Sequence, residues 1–258
     1  VRRFDEALGD WESLLANPLQ PPAELDASGV LVDYLNVAIR VRTDIERARL
    51  TLDEFATRED LPIYLRRRLD TWREALAGLD EASLAPDRPA SVDRGAELAQ
   101  RGAELARGPY GRDGLVEDLA AASQLVRFLE ADRARTIKLT RNRTPEERNE
   151  TARAYYWLAT VESRSLDGFW INLSERHFEA AIRAAPTSPW ARKAYAQLEE
   201  IQVLGFGGAS GMHLPPDVWT RLKELRELMG LEEPTPEPHH PLQDGAENSS
   251  KDGGGQRS

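Results

Sequence analysis

Apolar positions recur along this chain at helical spacing and almost nowhere at strand spacing. Tyr34, Ala38, Val41, Ile45, Ala48, Leu52 and Phe55 follow a 4-3-4-3-4-3 rhythm, which places one stripe along a single long helix. Leu65, Leu69, Trp72, Leu76 and Leu79 repeat the rhythm. The connection Thr57–Pro62 is short and polar, and Pro62 suits the first turn of a helix. Together these segments predict an antiparallel helical hairpin. The segment Ala85–Ser91 breaks the pattern, and a tandem heptad follows, RGAELAQ then RGAELAR (Arg94–Arg107). Glycine weakens a helix but lets a neighbour approach closely, so this segment predicts a thin, tightly packed helix. Leu115, Leu119, Ala122, Val126 and Leu129 supply a further stripe.

Start signals punctuate the second half. In TPEE, Thr144 can cap, Pro145 fits the first helical position, and Glu147 stands where a capping box needs it. That helix should run through ARAYYWLATVES, another from about Phe169 to Ala184, and a third from Pro189 with Ser188 as its cap. The last should span about Pro216 to Met229. The pattern therefore predicts an all-α fold of eight or nine helices: N-terminal hairpins over 1–110, then a helical segment over 111–230 continuous with them. Residues 231–258 are acidic, rich in proline and glycine, and nearly devoid of apolar side chains. Such a tail cannot bury enough surface to offset its ordering entropy, so disorder is expected there.

Composition narrows the function classes. The 258 residues carry a net charge of −10, which disfavours a nucleic-acid binder, because that needs a clustered basic face. The one basic run, Arg66–Arg68, interrupts Leu65 and Leu69 and reads as an ion-paired outer face of the hairpin. There is no cysteine, so thiolate catalysis and Cys-ligated metals are excluded. No apolar run approaches the ~18 residues that span a bilayer. The chain opens at Val1 and not at methionine, and a periplasmic or otherwise exported setting is the expectation, with the cytoplasm as the alternative.

Part of the second half carries a known pattern. Ser174 stands at a small position, followed by Phe178, Ala181 and a closing Pro186, while Tyr156 and Ala159 match in the preceding helix. PWARKAYAQLEE (Pro189–Glu200) looks like the first helix of a following unit. From about Ala152 to Leu198 the chain resembles a tetratricopeptide repeat, although the link Ser163–Asn172 is a few residues too long for one. The whole layout is also similar to exported helical-repeat proteins such as the periplasmic T component of some tripartite solute transporters. The resemblance implies a binding scaffold with a concave groove for peptides or partner helices, and no catalyst.

Candidate chemistry is sparse. GFGGASGMHLPPDVW (Gly205–Trp219) has four glycines in seven residues but no lysine after them and no strand before them, so neither a phosphate loop nor a dinucleotide fingerprint fits. It reads as a helix exit in which Gly205, Gly207 or Gly208 takes a left-handed cap, with a mobile loop or a close approach to a partner also open. His177 reads as an ordinary helix residue, His213 as a poor metal ligand beside Pro215, and His239–His240 as tail residues. Acidic pairs such as Glu146–Glu147 and Glu199–Glu200 read as solvated helix faces.

The expected function is a non-catalytic scaffold that takes a protein or peptide partner and no cofactor or metal. The candidate contacts are Trp157, Trp170, Trp190, Gly205, Phe206, Gly208, Ser210 and His213. The alternative is an accessory role in solute uptake, docking a binding protein or enclosing a small ligand.

Overall fold

The computed structural model describes residues 2–16, 27–107, 113–139, 142–165, 173–208, 211–212 and 214–231. The tail, residues 232–258, lies outside them. The fold is all-α apart from one two-residue ribbon. In chain order come α1 (Arg2–Ala16), α2 (Ala27–Leu35) running into a π-helical turn (Asn36–Val41), α3 (Ile45–Ala56), α4 (Ile63–Ala77) and the single turn α5 (Glu81–Leu84). Then follow α6 (Val92–Leu105), α7 (Leu115–Leu139), α8 (Pro145–Ser165), α9 (Leu173–Ala184) and α10 (Pro189–Phe206). The ribbon β1 (Gly207–Gly208) and β2 (Gly211–Met212) leads to α11 (Pro216–Leu228).

The start signals act as the sequence predicts. The Glu147 N–H donates to Thr144 Oγ1 (3.2 Å), and the Thr144 N–H donates back to Glu147 Oε2 (2.8 Å), completing the capping box of α8. Ser188 Oγ accepts from the Ala191 N–H (3.1 Å) at the start of α10, and Ser91 Oγ from the Arg94 N–H (3.3 Å) at the start of α6. Arg127 of α7 donates to the carbonyls of Leu84, Ala85, Pro86 and Arg88, and so pins the segment between α5 and α6 to the body.

The long helix expected over Tyr34–Phe55 is two helices. The π turn widens the backbone ring, so the Arg42 N–H reaches the Val37 carbonyl (3.0 Å) and the Asp44 N–H reaches that of Ala38 (2.8 Å). Thr43 then takes φ 55°, a left-handed conformation that β-branched residues avoid. Asp44 caps α3 by accepting from the Arg47 N–H (3.1 Å). The stripe stays inward on both sides of the break except at Val41, which is 47 % exposed. α3 and α4 form the expected hairpin, with Arg73 Nε donating to Asp53 Oδ1 (2.5 Å) across it.

The repeated heptad of α6 packs against α7 through its glycines. A Cβ at Gly95 would lie 2.7 Å from Leu125 Cδ2. One at Gly102 would lie 2.9 Å from Asp118 Cγ and 3.2 Å from the Gly114 carbonyl oxygen. Seven residues apart, the two glycines share one face of α6, and the backbones of Gly102 and Gly114 touch there.

Two apolar cores result. The first joins α1–α7 to one face of α8 through Ala154, Leu158 and Val161. The second gathers Ala159 of α8 with Phe178, Ala181, Ile182, Ala191, Leu198, Leu222 and Leu225. α8 is thus buried on two sides. It packs on α9 and on α10, and α9 packs on α11.

The glycine stretch departs from its expected cap. α10 continues through Gly205 to Phe206, and a short antiparallel ribbon follows, pairing Gly207 with Met212 and Gly208 with Gly211. Among the described residues the left-handed glycine is Gly230, φ 67°, at the end of α11. There the Leu231 N–H donates to the Arg226 carbonyl (3.1 Å) and the Gly230 N–H to that of Glu227 (3.0 Å), a Schellman turn.

Two glycine substitutions of opposite sign test this packing. Gly9, inside α1, has nothing within 4 Å of a notional Cβ, so Gly9→Ala should raise the unfolding free energy by about 0.5–1 kcal/mol through helix propensity alone. Gly102→Ala gains the same propensity yet should lower it by about 1–3 kcal/mol, because a pinned carboxylate and a backbone occupy the space. Urea denaturation of both variants checks the reversal.

Candidate functional site

Sequence reasoning nominated aromatic residues in the second half, and the structure brings two of them together. Trp157 of α8 and Trp190 of α10 lie with ring centroids 6.3 Å apart, inclined by 52°. Tyr156 bridges them, 5.3 Å from Trp157 and 5.5 Å from Trp190, and reaches Phe178 at 6.2 Å. Both tryptophans are half-buried. Cations complete the face: Lys193 Nζ stands 4.6 Å from the Trp190 ring centroid and the Arg153 guanidinium 5.6 Å from it. Arg153 is held by Asp93 (2.7 Å) and Glu150 (3.6 Å). The Trp157 indole N–H is shielded from solvent without an acceptor. The cluster forms because α8 and α10 lie side by side, which sets residue 156 beside residue 190.

The other nominated residues are elsewhere. Gly205 and Phe206 end α10 and Gly208 lies in β1, about 22 Å along the helix from Trp190 at 1.5 Å per residue. The glycine stretch and the aromatic face are therefore separate places. Trp170, Ser210 and His213 lie outside the described residues.

A second group of residues escaped the sequence reading. Sequence reasoning singled out none of Glu117, Asp118, Asp132 and Glu162, which are buried. Glu162 is the most constrained. Its Oε1 accepts from Arg40 Nη2 of the π turn at 2.5 Å, and its Oε2 lies 2.5 Å from His177 Nδ1 of α9. Tyr155 stacks on the imidazole at 5.8 Å. Nearby, Thr43 Oγ1 and Ser123 Oγ are 3.1 Å apart, and Asn36 Oδ1 is buried without a donor. Asp118 receives both Nη2 (2.6 Å) and Nε (3.2 Å) of Arg164, whose Nη2 also donates to the Ala99 carbonyl. Asp132 pairs with Arg143 (2.7 Å) and accepts from Thr151 (3.2 Å).

One signal in the sequence marked Glu162. It falls at the 4-3 spacing after Tyr155 and Ala159, on the stripe that feeds the second core. His177 carried no comparable signal, because its partner lies on another helix.

The chemistry of this knot follows from its donors. A carboxylate only accepts, so the imidazole donates from Nδ1. Among the described residues no three His, Asp or Glu side chains converge as a metal group would require. Glu117 differs from the others. Neither of its oxygens receives a hydrogen bond, and Arg101 Nε stands 3.4 Å from Oε1. Burial pushes its carboxyl above the ordinary carboxylate value, opposed by the dipole of its own backbone amide and by the charge of Arg101.

Two substitutions separate these carboxylates. The folded chain holds the Glu117 proton at pH values where the unfolded chain, near 4.5, has released it. Stability is therefore lost as pH rises through that window, and Glu117→Leu should raise the unfolding free energy at pH 7 by about 1–3 kcal/mol. The gain should shrink as pH falls below 4.5, and a gain independent of pH in denaturant titrations would contradict it. Glu162→Leu should instead cost about 3–5 kcal/mol, because it leaves Arg40 unpaired in a site that is 14 % exposed.

Comparison with known protein families, with curated proteins and with solved structures finds no match to this chain.

Proposed function

We propose that this protein is a non-catalytic helical scaffold that binds a protein or peptide partner at the face built by Tyr156, Trp157 and Trp190. The observation that carries the reading is the aromatic cluster with its two cations. Partly exposed tryptophans flanked by basic side chains offer a partner apolar area at low ordering cost, and such residues dominate binding energy at interfaces. The packing of α8 on both α9 and α10, and of α9 on α11, supports a stacked-pair reading of the tetratricopeptide kind. So does the meeting of Tyr156 and Trp190, which are one 34-residue period apart. Among the described residues no helix is long and apolar enough to cross a membrane.

The test is capture of a partner from the native source by the full chain, followed by titration of that partner against variants. Trp190→Ala should weaken binding by at least 2 kcal/mol, about 30-fold, as the loss of a central aromatic anchor does. Lys193→Glu, at an exposed position, should weaken it without altering the circular dichroism spectrum. Retention of a partner with unchanged affinity for both variants would remove this face from the reading. Failure to retain any protein, with thermal stabilisation by small solutes, would favour the uptake-accessory alternative.

A further inference from the structure

The aromatic face lies where three helices adjoin. α6 packs on α7, α8 on α9 and α10 on α11, and the leading helices of these pairs pack on one another in turn, α6 on α8 and α8 on α10. Asp93 of α6 therefore reaches Arg153 of α8. The Arg153 guanidinium and Lys193 Nζ of α10 both stand at the Trp190 ring.

The charges around that ring are not equally committed. Arg153 is matched by Asp93 at 2.7 Å and by Glu150 at 3.6 Å. Lys193 is exposed and pairs with no carboxylate among the described residues; its contact is the indole itself. The Trp157 indole N–H likewise lacks an acceptor. The unmet demand at this face is thus for an acceptor, and a carboxylate only accepts. A basic segment would have to draw Asp93 or Glu150 away from Arg153. An uncharged one would cover the Lys193 ammonium without matching it, which costs free energy.

We infer that the partner segment at this face is acidic and sets a carboxylate on the Lys193 ammonium beside Trp190. The inference rests on reading the face as a docking surface.

The probes are three blocked peptides of one design, a phenylalanine and a leucine set among glutamates, among glutamines or among lysines. Each is titrated into the full-length chain at low salt, and the indole N–H resonances of the six tryptophans are followed. The glutamate peptide should move the Trp190 resonance at the lowest concentration. Lys193→Glu should weaken that peptide about tenfold, because an attraction becomes a repulsion. Asp93→Asn removes a like charge and should tighten it. Glu59→Gln makes the same charge change in the exposed α3–α4 connection and should leave it unaltered. Equal affinity for the glutamate and glutamine peptides, preference for the lysine peptide, or no response of Trp190 to millimolar glutamate peptide overturns the inference. So does an equal effect of Asp93→Asn and Glu59→Gln. Its failure is separable from that of the scaffold reading. A captured partner that weakens with Trp190→Ala yet ignores Lys193→Glu leaves the scaffold in place and removes the acidic preference; a partner indifferent to Trp190→Ala removes the docking face itself.

Discussion

Glu162 is a carboxylate held out of water by two cationic or donor side chains from distant parts of the chain. Arg40 reaches it from the π turn and His177 from α9. Burying a carboxylate is costly unless its oxygens find partners, so its position dictates much around it. The π turn and the left-handed Thr43 behind it accompany the placement of the Arg40 guanidinium, and the contact of Thr43 with Ser123 ties that strained corner to α7. α9 must lie where its imidazole meets Oε2, and Tyr155 then closes over the ring. One polar group thus ties the first core to the second.

The same demand recurs along α7 and α8. Asp118 is matched by Arg164 and Asp132 by Arg143 and Thr151, so the antiparallel pair is registered by charge as well as by shape. Close approach makes this possible. The glycines of α6 let its backbone reach Gly114, which brings the Ala99 carbonyl within reach of Arg164. Glu117 is the member left without hydrogen-bond donors, and burial raises its carboxyl above the ordinary value. Burying these charges limits the alternative registers of helices whose apolar residues, mostly alanine and leucine, would otherwise slide at low cost.

The aromatic face depends on this registration without sharing its chemistry. α8 offers one side to the first core and another to the second, and Tyr156 and Trp157 emerge between them, against α10. Their half-burial follows from the geometry of three helices meeting, which leaves a seam that side chains cover only in part. The glycine stretch at the far end of α10 serves a different purpose: small residues allow a tight ribbon between two helices.

The amino-acid sequence alone determined the all-α class and most helix starts, because these rest on local periodicity and capping chemistry. Thr144 with Glu147, Ser188 before Pro189, and the glycine heptad of α6 were all legible for that reason. It also singled out Trp157 and Trp190. It could not reveal the break after Val41, since the stripe keeps its rhythm across a turn whose extra residue is absorbed by the backbone. It could not separate buried from solvated carboxylates either. An acidic side chain near an apolar stripe is ordinary until a guanidinium from more than a hundred residues away meets it, as Arg40 meets Glu162. Partners so distant in sequence are decided by tertiary packing alone, because no local preference of the chain encodes which helix will lie against which.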